Sequence, residues 1–167
     1  VVELKQQLEK VKARDWQRTK GTPVEFSYDK KIVIARPILD GSKEPITSYL
    51  NLPSDKRGCP VIYEYPIENA PKGSYKIGYD PIDQENGTSL AAICVYKGVH
   101  IGSVYHSILV AEYIGRYEDP DDIDRMAEMF ADFYNTTIMH ENMVTGVKNY
   151  FRRIKRLSLL AYQPDTV

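Results

Sequence analysis

The run Tyr75-Lys76-Ile77-Gly78-Tyr79-Asp80-Pro81 decides how this chain is read. Tyr75, Ile77 and Tyr79 alternate with Lys76, Gly78 and Asp80, the two-residue period of a strand with one buried face. Pro81 has no N–H to offer a ladder and ends the strand. An acid therefore stands at the carboxyl end of a strand, where a sheet presents side chains to ligands rather than to its core.

Working outward, residues 90–96 read as a second, more uniformly apolar strand and residues 107–113 as a third, giving an antiparallel meander. After Gly115 the pattern becomes helical. Asp119 is placed to cap, Pro120 suits the first helical position, and Asp121 and Asp122 complement the positive end of the helix dipole. Ile123, Met126, Ala127, Phe130 and Tyr134 then recur at helical spacing as a buried stripe. Residues 136–141, opened by Thr136, Thr137 and Ile138, read as a fourth strand. A second helix follows, capped by Thr145, with Val147, Tyr150, Phe151, Ile154 and Leu157 on one side. Residues 158–162 read as a fifth strand. The expected fold is α/β, a mixed five-stranded sheet in the order β-β-β-α-β-α-β with helices packed on it.

Upstream, residues 1–18 have Leu4, Leu8 and Val11 at helical spacing, with Trp16 expected to pack that helix, and residues 24–28 and 31–38 are brief extended pieces. Residues 40–72 hold Pro45, Pro53, Pro60, Pro66 and Pro71, so only residues 59–65 among them suit a short strand. The expected organisation is a helix with short extended segments over 1–39, a Pro-rich linker or wrapping arm over 40–72, and a regular domain over 73–167.

The 167 residues suffice for one domain-sized core, with 43% apolar residues. Cys59 and Cys94 lack paired spacing, which argues against a disulfide scaffold or a zinc ribbon and for a reducing compartment. No apolar run approaches the roughly 20 residues of a membrane helix, and no signal-peptide pattern opens the chain, so no membrane partner is expected. The 22 basic and 23 acidic residues give a net charge of −1, but charge is segregated. Residues 118–132 hold seven acids and one base, and residues 145–157 hold five bases and no acid.

Asp80 and Glu141 are the informative pair, each at the carboxyl end of a strand. If the first and fourth strands are parallel neighbours, the two carboxylates converge, and paired carboxylates bind hard divalent cations that activate water against phosphodiesters. The same residues would equally serve as the acid opening a turn before Pro81 and the cap of the helix after Glu141. Lys148, Arg152, Lys155 and Arg156 fall on one helical face with Arg153 beside them, suited either to DNA phosphates or to the acidic helix. Arg116 and Lys97 are further candidates for a DNA track. The Gly87-Thr88-Ser89 turn offers hydroxyls and N–H groups to a phosphate, or forms a plain hairpin turn. His100, His106 and His140 read as structural or exposed, with His140 on the face opposite Glu141. Tyr134 and Tyr150 read as core.

Three separated motifs carry a resemblance: residues 75–81, Val110-Ala111-Glu112-Tyr113-Ile114-Gly115-Arg116, and His140-Glu141-Asn142 leading into Gly146. They resemble the nuclease domain of tailed-bacteriophage terminase large subunits, and Gly58-Cys59-Pro60-Val61-Ile62-Tyr63-Glu64-Tyr65-Pro66 is similar to the stretch preceding that domain. The resemblance covers about residues 58–162 and implies a ribonuclease H-like fold. It also implies a metal-dependent endonuclease that cuts double-stranded DNA during genome packaging, using two Mg²⁺ or Mn²⁺ ions. Asp80 matches the first metal-binding acid, bridging both ions, and Glu141 the second, holding one. The family's third acid lies on a helix after the fifth strand, beyond the end of this chain, and Asp165 comes too early to replace it. Poor binding of the second ion is the expected result. Met143 departs from the common Asn after Glu-Asn. The ATPase domain expected in the parent chain has no phosphate-cradling G-x-x-x-x-G-K-[ST] motif here. Portal and terminase small subunit are the implied protein partners, and the cytoplasm of an infected or lysogenic bacterium is the implied location. Two other readings remain open: an actin-like-fold nucleotide-binding ATPase or kinase fragment, suggested by Gly78-Tyr79-Asp80 with Gly87-Thr88, and a non-catalytic docking module of a packaging motor.

Overall fold

A computed structural model describes residues 21–48, 50, 52–82, 87–141 and 145–161. The helix expected over residues 1–18 lies outside them. The chain forms β1 (Thr22–Asp29), β2 (Ile32–Pro37), β3 (Val61–Ile62), β4 (Tyr75–Asp80), β5 (Ala91–Ile101), β6 (Val104–Gly115), α1 (Pro120–Tyr134), β7 (Ile138–His140), α2 (Thr145–Arg153) and a 3₁₀ turn, Leu157–Leu159. The strands build a curled, mixed sheet of seven in the order β2-β1-β3-β6-β5-β4-β7. Every strand pair is antiparallel except β4 with β7. The α/β class and the meander are as read from the sequence. The sheet is larger than five strands because the hairpin β1–β2 and the short β3 extend it beyond β6.

Alternation along the strands sets one face against the helices. Ile77 and Tyr79 on β4, Ile93 and Val95 on β5, Ala111 and Tyr113 on β6 and Ile138 on β7 are all buried. The α1 stripe Ile123, Met126, Ala127, Phe130 and Tyr134 closes over them, and Val147, Tyr150 and Phe151 of α2 join the same core. Burying a side chain such as Phe130 contributes about 2–3 kcal/mol. The α1 ends follow from local chemistry. The Asp119 side chain accepts from the Asp121 N–H at 2.9 Å, Pro120 takes the first position, and Asn135 adopts φ 50° to close the C-terminus.

The segment between β2 and β4 is fastened to the end of β6. The Tyr113 hydroxyl donates to the Arg57 carbonyl at 2.8 Å and the Arg116 N–H donates to the Lys56 carbonyl at 2.7 Å. Gly58 permits this approach: its φ is +59°, and a Cβ there would stand 2.6 Å from the Ile114 carbonyl oxygen.

The fifth strand expected over residues 158–162 is a correction. Among the described residues this segment is the 3₁₀ turn followed by one parallel bridge, Leu160 to Ile138, with the Ala161 N–H donating to the Ile138 carbonyl at 2.7 Å. Ser158, Leu159, Leu160 and Ala161 include no β-branched residue, and Lys155 at φ 60° turns the chain just before them. The turn at Lys155 also ends α2 early, so Leu157 leaves the expected apolar stripe and is 44% exposed.

Candidate active site

Parallel pairing of β4 with β7 sets the geometry at Asp80. The register joins Ile77 to Ile138, Gly78 to Met139 and Tyr79 to His140, so Asp80 and Glu141 are the next residues on two adjacent strands. Neighbouring strands lie about 4.8 Å apart. Strand alternation puts Ile77 and Tyr79 toward the helices and Lys76, Gly78 and Asp80 on the opposite, exposed face. By the same alternation Met139 and Glu141 share the Asp80 face, whereas His140 does not, and its Nδ1 contacts the Glu141 carbonyl at 3.0 Å. Both carboxylates are exposed, and among the described residues neither has a hydrogen bond or an ion pair.

The sheet brings other predicted residues to this edge. Asp80 pairs with Ala92 at the start of β5, and Thr88 and Ser89, both exposed, stand just ahead of β5 at the same end of the strand. Gly115 at the end of β6 pairs with Ala91, and the Arg116 guanidinium donates from Nη1 to the Ser89 carbonyl at 2.8 Å. Arg116 thereby ties the turn to β6. Lys97, by contrast, pairs with Tyr75 at the far end of β4 and is ion-paired with Glu64, which removes it from any track beside Asp80.

The basic segment divides. Lys148 and Arg152 are exposed on α2, with Arg152 donating to the Asn149 side chain at 3.1 Å. Lys155 is exposed just past the helix end. Arg153 is ion-paired with Asp121, and Arg156 donates to Glu128 at 2.8 Å and to Asp132 at 2.7 and 2.6 Å. Both residues pair with the acidic helix, Arg153 through an exposed ion pair and Arg156 through the more buried Glu128 and Asp132. For Arg156 the reason is the early end of α2: Lys155 at φ 60° swings it back over α1 instead of continuing the exposed face.

Two buried acids were not singled out by sequence. Glu112, inside the second motif, is 2% exposed and accepts from the Tyr63 hydroxyl at 2.7 Å. Asp124 is 4% exposed and accepts from the Tyr79 hydroxyl at 2.8 Å, beneath the strand that carries Asp80. Burial pushes the Asp124 carboxyl up to about 6, against the pull of the Tyr79 hydrogen bond. Its place next to Ile123 in the buried stripe was the available signal.

Asp80 and Glu141 supply oxygen donors of the kind that hard divalent cations take, exposed and not engaged by any cation among the described residues. The residues present therefore fit one such ion, although among the described residues no three His, Cys, Asp or Glu side chains gather as a larger ligand set. No protein-family model, curated protein or solved structure matches the chain. No helix among the described residues is long and apolar enough to cross a membrane.

Proposed function

We propose that this chain carries a metal-dependent endonuclease site acting on double-stranded DNA, built on a ribonuclease H-like sheet. The observation that supports it best is the Asp80–Glu141 pair: two exposed carboxylates, without a partner among the described residues, on one face at the joined ends of parallel strands. The β6-β5-β4-β7 order, continued by the bridge at Leu160, supports the fold assignment. The three motifs that resemble terminase large subunits support viral genome packaging as the setting, with portal and small subunit as partners and an ATPase domain in the parent chain.

Asp80 and Glu141 would hold Mg²⁺ or Mn²⁺, which when bound supplies an activated water and charge stabilisation for phosphodiester hydrolysis. Asp80, on β4 between β5 and the edge strand β7, is positioned by its antiparallel pairing with Ala92 and by the parallel register that ends one residue before it. The hydroxyls and N–H groups of Thr88 and Ser89, just ahead of β5, would orient a phosphate, with Arg116 holding that segment through the Ser89 carbonyl. Lys148, Arg152 and Lys155 provide the positive charge for a DNA backbone leaving this edge.

Incubation of the chain with supercoiled plasmid tests the reading. Slow nicking that requires Mn²⁺ and disappears in Asp80→Asn is expected. Nicking that persists in Asp80→Asn, or a protein that neither nicks DNA nor binds Mn²⁺, would sink it.

A further inference from the structure

Away from the Asp80 edge, a cavity of about 710 Å³ opens between the β1–β2 turn, α1 and the segment from Tyr150 to Arg156. Its floor is a closed network. Asp132 accepts from the Tyr28 hydroxyl at 2.7 Å and from Arg156, and Glu128 accepts from the Tyr150 hydroxyl at 3.0 Å and from Arg156. Its rim is cationic. Lys30 and Lys31 come from the turn and Arg125 from α1; all three are exposed, and none of them has an ion pair among the described residues. The four cationic and two acidic side chains lining the cavity leave a net formal charge of +2, although the whole chain carries −1.

The turn itself is chemically out of character. Asp29 pairs with Ile32, so Lys30 and Lys31 form a two-residue hairpin loop, and Lys30 sits at φ +58°. A two-residue loop with positive φ at its first residue alone favours Gly there, because Gly tolerates that region and a residue with a long side chain does not. Lysines are poor choices for making this turn and good ones for presenting two ammonium groups over a cavity. Strain retained where the side chains face a pocket points to use of those side chains.

We infer that this cavity is a phosphate-binding pocket, with Lys30, Lys31 and Arg125 as its cationic contacts. The paired floor acids leave few free acceptor positions, and they keep Arg156 and the two tyrosines in place as walls. The phosphate can come from a nucleic-acid backbone or from a free nucleoside triphosphate. The pocket stands on different residues from the Asp80 site and needs no divalent metal, so it survives or fails independently of the nuclease reading; only the preference for a nucleic acid rests on that reading.

The test uses Lys30→Gly/Lys31→Ser, which places Gly at the positive-φ position while deleting both charges, and Arg125→Gln on the exposed face of α1. Binding of labelled double-stranded DNA and, separately, of ATP is measured with a chelator present, together with thermal melting. The double variant is expected to melt at or above the parent's temperature. It should bind DNA at least about tenfold more weakly, with a salt slope reduced by roughly two, near one per lost phosphate contact. Arg125→Gln should weaken binding in the same direction. Loss confined to ATP would support the pocket and name a free nucleotide as the phosphate source. Binding of both ligands unchanged in the double variant and in Arg125→Gln, or no binding of either ligand by the parent, would overturn the pocket.

Discussion

Two pairs of carboxylates in this molecule have opposite circumstances. Glu128 and Asp132, one α1 turn apart, are 12% and 18% exposed at their side chains and are satisfied by Arg156 and two tyrosine hydroxyls. Burial pushes the Asp132 carboxyl up, yet the Arg156 and Tyr28 hydrogen bonds outweigh it and hold its pKa below the ordinary value. Asp80 and Glu141 stand on adjacent strands, exposed, with no such partner among the described residues. Like charges at the ends of neighbouring strands repel, weakly in bulk water and more near a protein surface. A fold gains nothing from that juxtaposition, whereas a divalent cation does. Partnered acids therefore mark where the chain is held together, and adjacent unpartnered acids mark where it is open to a ligand.

The largest effect should come from the partnered pair. Arg156→Ala leaves two mostly buried carboxylates facing one another and should cost about 2–3 kcal/mol, below the 3–5 of a fully buried pair because Arg156 keeps part of its surface in water. Denaturant unfolding measures it, and a loss under 0.5 kcal/mol would break the contrast between the two pairs. Asp124 supplies the next effect, with the opposite sign. Its folded pKa of about 6 exceeds the ordinary 3.8, so between those values the native state holds more protons than the unfolded one. Its contribution to stability is therefore greatest below about pH 4, falls as pH rises through 6, and is flat above. Asp124→Asn keeps an acceptor for Tyr79 and should be the more stable protein at pH 7.5, by up to roughly 3 kcal/mol, with the difference shrinking toward pH 4. Melting curves across that range check it. A variant that is less stable at pH 7.5 contradicts the assignment. Lys148→Ala with Arg152→Ala should change stability by less than about 0.5 kcal/mol while weakening DNA binding several-fold and reducing its salt dependence. Unchanged DNA affinity at low salt would remove α2 from the proposed track.

Much of this was legible because two periodicities do not overlap. The alternation in residues 75–80 and the 3.6-residue stripe from Ile123 to Tyr134 name β4 and α1 with their buried faces, and Asp119-Pro120 names where α1 starts. Asp80 and Glu141 were legible for the same reason, each being the residue after a buried alternating run. What could not be read is what depends on partners distant in sequence. The β1–β2 hairpin extends the sheet through β3, a contact made by two residue pairs, Thr22 with Ile62 and Pro23 with Val61. The premature end of α2 is a backbone event at Lys155, a residue with no intrinsic preference for φ 60°, and it redirects Arg156 from solvent to α1. The Lys30-Lys31 turn hid itself because its residues are not turn formers. Lys97 is paired because Glu64 reaches it from 33 residues away.

The central claim is that Asp80 and Glu141 together form a divalent-cation site, and Mn²⁺ titration followed by the melting temperature tests it most directly. A ligand that binds only the native state at a hundredfold excess over its Kd stabilises by about 2.7 kcal/mol. Mn²⁺ should raise the melting temperature of the parent chain and leave Asp80→Asn and Glu141→Gln unmoved. Without metal, both variants should melt within a degree or two of the parent, or slightly higher, because repulsion is relieved. An equal Mn²⁺ shift in all three proteins, or none in the parent, would contradict the account.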